Sequence, residues 1–306
     1  MKEKLYVFVI FCIFAFMLPG MVLSATQEPK TVSEIALYQG IDRQQILEKG
    51  ARKEGKLIFY TTGIVKQTVR PLIEAFKKTY PFIEVFIWRA TTSKLVPRIS
   101  EEYQAHKFEV DAIETTQMGR MVLSERGILH PYFSPNVADI DEGVIIKAPG
   151  QGVYSVGHYQ SFISLGYNTK LISPADAPKK YEDLLNPKWK GKMTVTDMGS
   201  ARNWAGIIYE VLGEEFLVKL SKQDIVLHTM SGRGLLDMII AGEYAFSPAV
   251  FDSHVNKSKS LGASVEWYPI EPVMTYIGQI MLAKNAPHPY TAMLFIDFDL
   301  SMETPL

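Results

Sequence analysis

Lys56-Leu57-Ile58-Phe59-Tyr60-Thr61-Thr62-Gly63 sets the pattern of the chain: a short, mostly apolar strand that stops at two hydroxyl residues and a glycine. Upstream, residues 33–55 read as an amphipathic helical region, broken near Gly40 and ending in the charged run Arg52-Lys53-Glu54. Downstream the rhythm repeats. The pattern predicts a helix over 66–79, a strand over 83–88, a helix over 93–103, a strand over 109–113 and a helix from Gln117. Strands alternating with helices predict an α/β fold with a mainly parallel, doubly wound sheet. Ligands of such sheets sit outside the carboxyl ends of the strands. Those ends carry one chemistry three times: Thr61, Thr62 and Gly63, then Thr91, Thr92 and Ser93, then Thr115, Thr116 and Gln117.

After Gly150 the pattern changes to strand-like segments over 152–167, a turn-rich connection with Pro174 and Pro178, and a strand over 192–196. A second lobe is expected over residues 144–269, with its own strand-to-helix junctions at Gly199-Ser200-Ala201-Arg202 and Ser231-Gly232-Arg233. Pro269 and Pro272 bracket a return into the first lobe, which then comprises residues 26–143 and 270–306, with a strand over 276–282 and a helix from about His288. Two crossings between lobes predict a hinge.

The N-terminus carries Lys2 and Lys4, an apolar run from Leu5 to Leu18, the breaker pair Pro19-Gly20, and small residues at Ser24 and Ala25. This is the pattern of a secretory signal peptide, with cleavage expected at about residue 25. The run is shorter than the roughly 20 apolar residues that span a bilayer. Cys12 is the chain's one cysteine and lies inside that run, so the mature protein is expected to lack disulfides, thiolate nucleophiles and cysteine metal sites. The chain is 47% hydrophobic and 21% charged, with a net charge of −1, which gives no electrostatic reason to expect nucleic acid as partner.

Three phrases carry a family resemblance. They are Ala283-Lys284-Asn285-Ala286-Pro287-His288-Pro289-Tyr290-Thr291-Ala292-Met293-Leu294-Phe295-Ile296-Asp297-Phe298, Asn186-Pro187-Lys188-Trp189-Lys190-Gly191-Lys192, and Gly262-Ala263-Ser264-Val265-Glu266-Trp267-Tyr268-Pro269-Ile270-Glu271-Pro272-Val273. The chain resembles, over residues 57–301, the periplasmic solute-binding components of ABC importers in the iron(III)-type branch. The resemblance implies a two-lobed, type 2 periplasmic-binding-protein fold, each lobe a doubly wound mixed sheet. It also implies a monomer in the periplasm, a small-molecule ligand and an ABC permease in the inner membrane as partner. Members of the family continue past the segment matching Phe298 with further helices, whereas this chain reads on for eight residues from Asp299, where a leucine is expected. The resemblance therefore implies a shortened C-terminus.

Hydroxyl residues and glycines just ahead of helices leave amide groups free for an anion, and equally serve as ordinary helix caps. The candidates for ligand contact are Thr61, Thr62, Gly63, Thr92, Ser93, Thr116, Gln117, Gly199, Ser200, Ser231 and Gly232, joined by Asp252 and His254 after the strand that ends near Pro248. Arg202, Arg233 and Arg89 offer guanidinium groups that suit either a carboxylate or phosphate clamp or a surface salt bridge. The resemblance places the adjacent tyrosines of ferric-ion binders on Asp252 and Ser253, and their upstream histidine and glutamate on Ile64 and Thr116. Ferric ion is thereby disfavoured, though Asp252 with His254, or His158 with Tyr159, offers a weak metal-site alternative. No cofactor is expected. A secreted hydrolase built on Asp252, His254 and Ser200 or Ser231 is the remote alternative, without a Gly-x-Ser-x-Gly signature to support it. Met118, Met121, Phe216 and Leu217 are expected to pack cores.

Overall fold

The computed structural model describes residues 31–197 and 199–302, without the side chains of residues 67, 199 and 200. The signal segment, Cys12 and the last four residues lie outside the described residues.

In chain order the elements are α1 (Val32–Ala36), α2 (Arg43–Glu54), β1 (Lys56–Thr61), α3 (Arg70–Thr79), β2 (Glu84–Arg89), α4 (Thr92–Gln104), β3 (Ala112–Thr116), α5 (Gln117–Glu125) and β4 (Leu129–His130). Then come β5 (Ile145–Lys147), β6 (Val153–Asn168), β7 (Thr194–Thr196), α6 (Gly199–Ser221), β8 (Val226–His228), α7 (Gly232–Ala241) and β9 (Phe246–Phe251). The chain closes with α8 (Asp252–Ser260), β10 (Val265–Tyr268), β11 (Met274–Ala283) and α9 (Pro289–Ser301). Gly55, in the left-handed region at φ 63°, ends α2 and turns the chain directly into β1.

The two expected sheets are fused. One sheet runs β10-β6-β11-β3-β1-β2, with β4 on β11 and with β5 and β9 on β6, while β7 and β8 form a parallel pair linked to β9 by a bridge between Met193 and Phe246. The cause is the length of β6. Its first residues pair with β5 and its last with β9 and β10, and β11 runs antiparallel beside its middle. Two cores form along these strands. Phe59, Phe76, Leu95, Val156, Ile280 and Phe295 belong to one, and Ile163, Leu165, Trp189, Trp204, Phe246 and Met274 to the other. The stretch of β6 between Val156 and Ile163, with residues 275–279 of β11, therefore crosses from lobe to lobe. Gly278 stands opposite Tyr159 and Gln279 opposite Gly157, which leaves His158 as the extra residue of a β-bulge in the crossing.

Helix α9, inside the phrase that carried the resemblance, is apolar nearly all round because it is buried nearly all round. Phe295 sits edge-on to Phe59 and Phe76 at 4.9 and 5.1 Å, and burying that ring contributes about 2–3 kcal/mol. Two carboxylates tie down the helix start. Glu54 accepts from the Tyr290 and Thr291 amides at 3.3 and 2.8 Å, and Asp111 accepts from the His288 amide at 2.7 Å. Farther along, Asp297 pairs with Arg43, and Asp299 pairs with His158 at 2.6 Å, both inside the protein. The aspartate in place of the expected leucine thus has a built partner in the hinge bulge.

Two local expectations are corrected. Strand β3 starts and ends about three residues later than predicted, so Thr115 lies within the sheet and fully buried. Glu114 of the same strand is carried inside because its carboxylate accepts hydrogen bonds from Thr61, Thr62, Gly63 and Tyr159. Met118 and Met121 are exposed, at 58% and 40%, because α5 buries only the narrow face of Gly119 and Leu123.

Candidate functional site

The site is built around Glu114 on β3, which is 1% exposed. Its Oε2 accepts from the Thr61 hydroxyl and from the Thr62 and Gly63 amides, both at 2.8 Å. Its Oε1 accepts from the Thr62 hydroxyl at 3.0 Å and the Tyr159 hydroxyl at 3.2 Å. A buried carboxylate is costly without partners, and here the end of β1 and the crossing strand supply five. The amides of Thr62 and Gly63, offered by the sequence to an external anion, are occupied by this internal one.

Tyr159 leads from this carboxylate into the paired stretch of β6 and β11. Its ring is stacked with Tyr276 of β11 at 6.3 Å and 26°, and Tyr276 in turn meets Phe251 of the second lobe edge-on at 5.3 Å. Burial, then the charge of Glu114, push both phenols well above the ordinary tyrosine range, so both stay protonated. For Tyr276 the hydroxyls of Thr62 and Tyr159 and the charge of Arg89 oppose the shift in part. From the second lobe, Asp252 accepts from the Ser161 hydroxyl at 2.6 Å and the Phe162 amide at 2.9 Å, and Ser253 contacts Ser161 at 3.0 Å. Each lobe thus grips the crossing strand with a carboxylate.

The remaining candidates divide between helix ends and the interior. Thr92 lies 3.4 and 3.5 Å from the hydroxyls of Thr115 and Thr116, Thr116 caps the Gly119 amide, and Ser93 and Gln117 are exposed at the starts of α4 and α5. Arg89, exposed at the end of β2, donates only long bonds to the Gly63 and Thr62 carbonyls, at 3.3 and 3.4 Å. In the second lobe Ser231 caps the Gly234 amide, and a side chain at Gly232 would approach Phe251 at 3.9 Å, which puts the start of α7 against the same aromatic group. Arg202 is exposed on α6, Gly199 is the first residue of that helix, and the side chain of Ser200 lies outside the described residues.

Arg233 has partners of its own on α7 and α8. It is engaged by Asp237 and Ser258, both at 2.5 Å, and by the His254 carbonyl, because α7 and α8 pack together there. His254 is buried, and burial followed by the nearby Arg233 charge lowers its pKa to about 4. Its ring lies against Phe251 while Asp252 faces Ser161, so the two do not converge on a metal. His158 and Tyr159 likewise have separate partners, Asp299 and Glu114. Among the described residues no group of three or more His, Asp or Glu is placed to hold a metal ion. A cavity of about 500 Å³ opens elsewhere, between α2 and α9 beside Ile46, Lys49 and Tyr290, and includes none of these groups.

Two cores joined by crossing strands, with polar and aromatic side chains gathered at the crossing, define a two-lobed binding protein. The sequence profile of the bacterial extracellular solute-binding proteins matches residues 120–302, and the chain belongs to that family. It is 26% identical over 191 residues to an uncharacterized protein of Haemophilus influenzae, a match spanning 59% of this chain and 55% of that protein. Among solved structures, it is similar to the periplasmic binding protein P5PA, with 25% identity, a TM-score of 0.67, and coverage of 81% of this chain and 80% of that one. The same fold is shared with the periplasmic binding protein AfuA from Actinobacillus pleuropneumoniae, solved with exogenous fructose-6-phosphate bound: 23% identity, TM-score 0.70, and 80% and 79% coverage. It is shared too with iron-bound HitA from Pseudomonas aeruginosa: 21% identity, TM-score 0.68, and 81% coverage of each chain.

Proposed function

We propose that the protein is the substrate-binding component of an ABC importer. Secreted through its N-terminal signal, it works in the periplasm as a monomer, closes two lobes over one small polar or anionic organic ligand, and presents the closed form to an inner-membrane permease. The lobes are residues 26–143 with 270–306, and residues 144–269. The carrying observation is the crossing of β6 and β11, gripped from one side by Glu114 and from the other by Asp252, with Tyr159, Tyr276 and Phe251 between them. Closure about such a crossing brings groups of both lobes onto one ligand.

Arg89 supports an acidic group on the ligand, because its guanidinium holds only two weak contacts that a ligand would outcompete. Ferric ion is left aside: Asp252 and Ser253 stand where the resemblance places the phenolate pair, and both are engaged with Ser161. No catalytic step is assigned, since Ser231 serves as a cap and His254 lies buried beside Arg233. Thermal unfolding across phosphonates, carboxylates, sugar phosphates and ferric salts tests the proposal. A rise in melting temperature with an organic ligand is expected, and a flat response to the whole panel would refute it.

A further inference from the structure

Resting on that reading of the cleft, we propose that Glu114 sets its specificity: by filling the amide cradle at the end of β1, it makes the floor select a zwitterion. The ligand's ammonium group meets Thr62, Tyr159 and Tyr276, and its acidic end meets Arg89. Hydrogen-bond polarity sets this selection. A hydroxyl has one proton and two lone pairs. Thr62 and Tyr159 give their protons to Glu114, at 3.0 and 3.2 Å, so toward the Tyr276 hydroxyl and the cleft they offer lone pairs alone. The Thr61 hydroxyl gives its proton to Glu114 and accepts from the Gly63 amide at 2.9 Å, so it has nothing further to donate. The Thr62 and Gly63 amides are taken as well.

An incoming carboxylate or phosphate would therefore find the N–H and O–H donors of Thr61, Thr62, Gly63 and Tyr159 already taken, and a like charge behind them. An ammonium group finds acceptors, the field of a carboxylate, and aromatic rings at Tyr159, Tyr276 and Phe251 for cation–π contact. The opposite charge sits on the other side of the same turn, because Arg89 contacts the carbonyls of Thr62 and Gly63 whose amides face Glu114. The floor is thus dipolar over a single turn. Glu114 is a positioning residue: itself saturated, it acts on the ligand through Thr62 and Tyr159.

The test uses the full mature chain, freed of bound ligand by unfolding and refolding, and isothermal titration with two matched series. These are ω-amino acids of three to six carbons, and the unbranched dicarboxylates of the same lengths. At least one amino acid is expected to bind tenfold or more tightly than its matched diacid. Glu114→Gln, which keeps the shape but places a donor in the cradle, is expected to erase that ratio, and Tyr159→Phe to reduce it should the first variant fold poorly. A ratio of one or below, no binding by either series, or a ratio unchanged in both variants would overturn the inference. A fully anionic organic ligand retained by the purified protein would overturn it too while leaving capture intact, whereas no response to any small molecule would overturn both.

Discussion

Gly278→Ala strikes the hinge at its closest approach. A Cβ at position 278 would lie 2.1 Å from Tyr159 Cε1, 2.4 Å from Cζ and 2.6 Å from Cδ1. Carbon atoms pack at about 3.5–4.0 Å, so the ring must shift by roughly 1.5 Å. It has little room to do so: its hydroxyl is tied to Glu114, it stacks with Tyr276, and His158 stands 4.9 Å from it. Losing the hydrogen bond to a carboxylate costs about 1.5–3 kcal/mol, and overpacking adds about 1–3 kcal/mol. The stiffer unfolded chain returns about 0.4–1 kcal/mol. The net expectation is a destabilisation of about 2–5 kcal/mol, measured by urea unfolding. Tyr159→Ala supplies the control: with the ring gone, alanine at 278 is expected to cost under about 0.5 kcal/mol, so a double-mutant cycle reports the clash itself. A neutral Gly278→Ala, or an equal cost in both backgrounds, would refute the packing of Tyr159 over Gly278.

Other consequences follow from the ionisable groups. Burial opposes the charged form of His158, but Asp299 outweighs it and the folded pKa lies above the ordinary value. The stability this pair contributes is complete below about pH 6.5 and is lost as pH rises through the raised folded pKa. Asp299→Asn is accordingly expected to cost about 3 kcal/mol at pH 6 and less at pH 8.5, by urea unfolding at both. His254 has the opposite sign: with a folded pKa of about 4, its contribution is complete above about pH 6.5 and is lost as pH falls through 4. The loss approaches about 3 kcal/mol, and His254→Leu is expected to flatten the acid limb of the stability profile. Arg233→Ala, which removes a half-exposed pair with Asp237 and the bond to Ser258, is expected to cost about 1 kcal/mol and leave ligand affinity unchanged. A large affinity loss there would place Arg233 in the site after all.

The strand-then-helix rhythm was legible because each unit carries its own signal. The apolar run at Leu57 to Tyr60, the hydroxyl stop after it, and the alternation that follows correspond to β1, α3, β2 and α4 within a few residues. The fusion of the two sheets was not legible. It depends on β6 continuing through Gly157, His158 and Tyr159, and the bulge there is fixed by the facing Gly278 and Gln279, more than a hundred residues away. The candidate site was half legible. Threonines at strand ends were visible, but Glu114 inside Ala112-Ile113-Glu114-Thr115 was not recognised as their partner. The available signal was a carboxylate in a segment otherwise destined for burial, which must find several donors or stay out of the core. A helix-start arginine reads the same in sequence whether its guanidinium faces a ligand or, as that of Arg233 does, an aspartate one helical turn along.

Capture in the proposed interlobe cleft is tested most directly by native mass spectrometry of the protein purified from cells without refolding, compared with Tyr276→Ala prepared in the same way. One small molecule of constant mass, bound in a one-to-one ratio and lost from the variant, is the expected result. A bare chain in both preparations, or a ligand held equally well without the Tyr276 ring, would contradict it.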